Sequence, residues 1–262
     1  SLSHMRPGGA GVMKNALYNF FIHEVTMLCY RNCLQYFPPG SRILDVGIGN
    51  GAMIRTFHEL IQSKNLSITG IDINRCYLDH CSNQIRRWGL DRNITVLHEP
   101  VESFEPPERP WYDSILFSMS FMLLEDPGTV LDRIRPWIKP EGRVLFFQTM
   151  FHRRSPVMEL IKPRLRYLTT VDFGRVIYED EFFALLRDRG IEVDRDLLLS
   201  RKWFAGEYRL IIAAMDKRVS SVFRNRPAVD TAGLQNGRHA TLRLLKDARK
   251  AHKKASTGIP RR

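Results

Sequence analysis

The chain has 262 residues, 44% of them apolar, and a formal net charge of +12. That length suits one large α/β core with appendages, and no run of about 18 apolar residues signals a membrane span. The charge is lopsided: residues 219–262 hold eleven Lys or Arg against two Asp, so nine of the twelve net positive charges sit in this stretch and the remainder is nearly balanced.

Taken in order, Ser1-Leu2-Ser3-His4 reads as a cloning remnant before Met5, and Gly- and Pro-rich residues 1–12 read as a disordered leader with no secretory signal. Lys14 to Tyr36 is a helix candidate that carries Tyr18, His23, Cys29 and Cys33. It ends at Pro38-Pro39-Gly40. A helix just ahead of a ligand-binding strand can lid its pocket, which makes Tyr18 and His23 candidate acceptor contacts. Cys29, Cys33, Cys76 and Cys81 lack CxxC spacing. They read as reduced thiols in a cytoplasmic protein, with Cys29 and Cys33, one helical turn apart, as the alternative of a soft-metal pair. Core packing is the expectation for them, and no metal.

Arg42 to Gly51 organises the rest. Ile43, Leu44 and Val46 form an apolar strand that stops in Gly47, Gly49 and Gly51, and Ala52 to Ile61 follows with helical spacing of its apolar residues. A strand, glycine turn and helix let a ligand lie against bare backbone, with helix N–H groups facing the same space. Asp45, near the strand end, can accept hydrogen bonds from a polar or cationic group. Leu66 to Asp72 is a second strand ending in an acid, 21 residues past Gly51. Neighbouring parallel strand ends would bring Asp72 to the same crevice, where a carboxylate can take both hydroxyls of a ribose. The alternative of a helix cap is better filled by Asn74, ahead of the Arg75–Trp88 helix. Further strands are expected at Ile94–Leu97, Ser114–Ser118 and Arg143–Gln148, with a short helix from Pro127 to Ile138 between the last two.

Alternation of strand and helix five times means a mostly parallel sheet with helices on both faces. These pieces resemble the class I S-adenosylmethionine-dependent methyltransferases. The matching stretches are Asp45-Val46-Gly47-Ile48-Gly49-Asn50-Gly51, Asp72 ending the second strand, Tyr112-Asp113-Ser114-Ile115-Leu116 and Ile138-Lys139-Pro140-Glu141-Gly142-Arg143. The resemblance, over about Leu17 to Met215, implies a Rossmann-like sheet of seven strands, the last antiparallel, and S-adenosyl-L-methionine as cofactor. It assigns the methionine part to Asp45, Gly47, Gly49 and Gly51, the ribose to Asp72, and adds Ile73 and Ser118 as cofactor contacts. An acid is common near the adenine amino group, but Pro100 stands at that place here, so Val101 backbone or Glu102 takes the role.

Beyond the fifth strand, residues 151–177 are expected to build the acceptor pocket, followed by a helix from Tyr178 to Arg189 and a hairpin of Ile191–Ser200 and Tyr208–Met215. Phe151, Arg153 and Ser120 are candidate acceptor contacts, and His152 is the candidate general base. The expected domain spans 13–218 and the basic tail 219–262. The expected activity is O- or N-methylation of a small molecule by in-line displacement. Alternatives are an RNA or protein methyltransferase guided by the tail, a non-catalytic cofactor-binding partner, and a nicotinamide oxidoreductase. The last fits Gly47-x-Gly49-x-x-Ala52, but Asp45 would repel a pyrophosphate. Oligomeric state is not legible.

Overall fold

The computed structural model describes residues 24–152, 176–201 and 206–215. Its strands are β1 (Arg42–Val46), β2 (Ser67–Asp72), β3 (Ile94–His98), β4 (Tyr112–Ser118), β5 (Ile138–Phe151), β6 (Ile177–Tyr178), β7 (Glu192–Arg201) and β8 (Gly206–Ala214). They form one sheet in the order β3-β2-β1-β4-β5-β8-β7, with β6 paired to β5 off this path. Parallel pairing joins β3, β2, β1, β4 and β5, while β8 runs antiparallel to both β5 and β7. The expected seven-stranded arrangement is therefore present. The eighth strand is the two-residue β6, which meets β5 at Met150 and Phe151, past the last β4 pairing of Ser118 with Phe147.

Helices lie on both faces. They are α1 (24–36), α2 (Ala52–Ser63), α3 (Arg75–Arg87), α4 (Pro127–Ile134) and α5 (Glu179–Asp188). Side chains alternate across a strand, and β5 shows it: Leu145 and Phe147 join a core with Cys29, Leu34, Ile54, Ile61 and Cys81. Val144, Phe146 and Met150 join the opposite core with Val130, Leu131, Phe182 and Leu186. In that second core Phe117, Phe121, Phe146 and Phe182 pack ring on ring, with the Phe121–Phe146 centroids 4.9 Å apart.

Local chemistry sets the element ends. Asn74 caps α3 by accepting from the Tyr77 N–H at 3.2 Å, as its position suggested. Asp126 does the same for α4 through Thr129. At the end of α2, Lys64 donates its ammonium to the carbonyls of Leu34, Gln35 and Phe37, at 2.7, 2.9 and 2.9 Å. A cation there satisfies carbonyls that a helix end leaves open, and it ties α1 to the sheet next to β1. β5 is longer than its apolar run suggests because Ile138 already pairs with Tyr112 and the far end pairs with β8 out to Gly206. No described helix is long and apolar enough to cross a membrane.

Candidate active site

The carboxyl ends of β1 and β2 and the turn after β1 converge on one crevice. The Gly47 N–H donates to the Ile71 carbonyl at 2.8 Å, which ties the turn to β2. Gly47 has φ +82°, and a Cβ on it would lie 2.6 Å from the Ser120 Cβ. Only glycine fits there, because the loop after β4 presses directly on the turn. Ser120 holds that contact by donating its hydroxyl to the Val46 carbonyl. This corrects its expected place among the acceptor contacts: its hydroxyl proton is committed to backbone and it is buried. Gly51, at φ +71°, starts α2 against the Cys81 side chain.

Asp72 reaches over the turn as expected. Its Oδ2 accepts from the Gly49 N–H at 2.9 Å and its Oδ1 from the Asn74 N–H at 2.8 Å. Each oxygen keeps a lone pair, so the carboxylate is oriented yet still able to accept a diol. Asp45 lies deeper, 1% exposed. Its Oδ2 accepts from the Tyr30 hydroxyl at 3.1 Å, and its Oδ1 has no hydrogen-bond partner among the described residues. Burial pushes its acid up to about 7; the nearby Asp72 adds to this and the Tyr30 hydrogen bond opposes it. Among the described residues no Lys, Arg or His pairs with either carboxylate. The crevice therefore offers negative charge without a counter-ion among the described residues.

Ile73 follows Asp72 with its side chain 73% exposed, an apolar surface open at the crevice edge. Ser118 stands at the end of β4 and shares the Tyr30 hydroxyl. Glu102 is exposed, whereas Val101 turns its side chain into the second core and gives its carbonyl to Arg133 at 3.2 Å.

Residues 43–142 match a family model described as a methyltransferase domain. Over that stretch the chain is similar to the class I S-adenosylmethionine-dependent methyltransferases. A ubiquinone/menaquinone biosynthesis C-methyltransferase of Wigglesworthia glossinidia brevipalpis is 28% identical over 152 residues, which is 57% of this chain and 57% of that protein. A malonyl-[acyl-carrier protein] O-methyltransferase of Ilyobacter polytropus is 28% identical over 131 residues, 48% of this chain and 47% of that one. The chain thus spans about half the length of the curated relatives it matches. A solved geranyl diphosphate methyltransferase in complex with S-adenosylmethionine shares the fold, with a TM-score of 0.60 at 15% identity over 81% of this chain and 93% of that one.

The methyltransferase domain's crevice fits the superfamily's cofactor on its own chemistry. An orphaned buried carboxylate oxygen on Asp45 suits an ammonium or sulfonium, and the oriented Asp72 suits a diol. Asp45, Gly47, Gly49, Gly51, Asp72, Ile73 and Ser118 would hold it.

At the far end of β5 the methyltransferase domain carries a polar cluster. His152 Nδ1 meets Glu179 at the start of α5, and Nε2 meets Glu207 of β8 at 2.9 Å. Arg209 pairs with Glu179 at 2.7 Å and also with Asp196 of β7. Hydrogen bonding to Glu179 raises the His152 pKa; burial opposes it, and the hydrogen bond to Glu207 adds to the rise. A carboxylate on each nitrogen favours the protonated ring, and in that form it has no lone pair for an acceptor's proton. Its expected role as general base finds no support in this geometry. Phe151, the neighbouring candidate, is 8% exposed and packs its ring over Gly206. Tyr18, His23 and Arg153 lie outside the described residues, as do residues 153–175 of the expected pocket segment 151–177 and the tail.

Tyr30 was not foreseen, although a tyrosine on a helix entering the first strand is the signal that would have found it. The backbone of Met119, at φ +59°, is a second such feature, just past β4 and packed on the α1 side of the sheet. A separate groove of about 590 Å³ opens at the opposite, amino-terminal ends of the strands. Of the charges that line it, Lys139 pairs with Asp113 and Arg143 with Asp194.

Proposed function

We propose that the chain transfers a methyl group from S-adenosylmethionine to a small-molecule acceptor by in-line displacement. One observation carries this: Asp45 and Asp72 flank a three-glycine turn, and neither has a basic partner among the described residues. A pyrophosphate would meet like charge there, whereas a cationic sulfur nucleoside meets opposite charge. S-adenosylmethionine, when bound, supplies a methyl already activated by its sulfonium. What remains for the chain is to align the acceptor and exclude water, and alignment can be worth about 7–11 kcal/mol. In this reading Asp72 grips the ribose, Asp45 faces the ammonium, and the backbone of residues 47–51 forms the bed. A hydroxyl acceptor needs a base and an amine does not.

Titration calorimetry tests the reading with S-adenosylhomocysteine and NAD as ligands. S-adenosylhomocysteine should bind, NAD should not, and Asp72→Ala should weaken the former about tenfold or more, the order expected for lost hydrogen bonds to a charged group. Binding of NAD without S-adenosylhomocysteine would overturn it.

A further inference from the structure

Tyr30 is 5% exposed and sits on α1, outside the turn that carries the superfamily's motif, yet its hydroxyl is 3.1 Å from the Asp45 carboxylate. The helix end that presents it is fixed by the three Lys64 hydrogen bonds, so this contact is built into the fold. We propose that Tyr30 is a positioning residue: it holds the Asp45 carboxyl so that its free oxygen meets the ammonium group of the bound nucleoside, and the carboxyl proton is expelled as that pair forms. The proposal rests on the methyltransferase reading above.

The surroundings of Asp45 carry it. Facing the carboxyl are Tyr30 and Cys29 from α1, Asp72 from β2 and Cys81 from α3, with Ser118 of β4 on the far side of the Tyr30 hydroxyl. Every one is neutral or acidic. Burial pushes the Cys81 thiol up to about 12 and the Cys29 thiol well above its ordinary value, so neither supplies or takes the proton near neutrality. A hydroxyl donor aimed at Oδ2 leaves Oδ1 as the vacant acceptor. The balance is simple. In the free protein at neutral pH about half the molecules carry the acid form, since its value is about 7. When a cation arrives, the O–H bond breaks, the proton goes to buffer, and an N–H of the ammonium donates to the carboxylate.

Calorimetry with two ligands separates the roles. S-adenosylhomocysteine carries the ammonium; 5′-methylthioadenosine keeps the adenine and ribose but lacks the amino-acid arm. Measured in two buffers of different ionisation heat at pH 7, the wild type should release about half a proton with the first ligand and none with the second. Its affinity for S-adenosylhomocysteine should fall as pH drops below 7, by up to about tenfold per unit. Tyr30→Phe removes the hydrogen bond that favours the charged carboxylate. It should weaken S-adenosylhomocysteine about tenfold at pH 7, less at pH 8.5, and leave 5′-methylthioadenosine unchanged. Asp45→Asn should abolish proton release while 5′-methylthioadenosine still binds, which guards against a misfolded Tyr30 variant. Equal losses for both ligands, a loss independent of pH, or no proton released by the wild type would overturn the proposal. If the wild type binds neither ligand, the methyltransferase reading falls too. If it binds both without proton release, only Tyr30's role falls.

Discussion

Replacing Asp45 by asparagine should make the ligand-free protein more stable at pH 8. The native carboxyl titrates near 7 against an ordinary value of 3.8. A raised acid favours folding only while it stays protonated: its contribution is complete below about pH 4 and is lost progressively as pH rises to about 7, above which ionisation penalises the native state in full. A gap of about three units corresponds to about 4 kcal/mol. Asparagine, a neutral group of the same shape, escapes that penalty but still buries an amide beside Tyr30, whose own cost we set at about half of it. The net gain is about 2 kcal/mol at pH 8, or about 4–8 °C in melting temperature for a domain of this size. Thermal melts of wild type and Asp45→Asn at pH 4.5 and pH 8, without ligand, measure it. The gap should open with rising pH, and S-adenosylhomocysteine should raise the melting temperature of the wild type more than that of the variant. A variant less stable than wild type at pH 8, or a gap that does not change with pH, would refute the reasoning.

Gly47→Ala should destabilise by about 2–3 kcal/mol in urea unfolding, because it combines a left-handed backbone with overlap against the Ser120 side chain. A cost under about 0.5 kcal/mol would show that the loop after β4 yields freely. His152→Gln should lower the melting temperature at pH 6 and have little effect at pH 9. The raised His152 pKa makes its contribution complete below the ordinary histidine value and lost as pH rises through the raised one. An equal loss at both pH values would show that the ring acts by packing.

The parts of the fold set by local spacing were legible. The three glycines, the acids at 45 and 72 and the Asn74 cap all lie within short stretches, and their geometry follows from backbone chemistry. What depends on distant pairing was not. The expected strand Arg143–Gln148 runs from Ile138 to Phe151 because its partners in β4 and β8 extend it. β6 escaped notice because two residues leave no pattern. The two carboxylates on His152 come from positions 179 and 207, so a histidine that looked unattached arrives already paired. Ser120 looked like an open hydroxyl because nothing local shows that the Gly47 turn closes on it.

The seat of β8 bears on how the chain matures at the ribosome. Residues 206–214 are the last strand among the described residues, yet they lie inside the sheet with β5 on one side and β7 on the other. Until they emerge, β5 exposes a bare edge along a stretch in which every residue from Gly142 to Phe151 is buried in the finished protein. Such an edge invites pairing with a second nascent chain. A product released before position 206 would therefore be prone to stick to its own kind, and translation speed through the final hairpin becomes a determinant of yield.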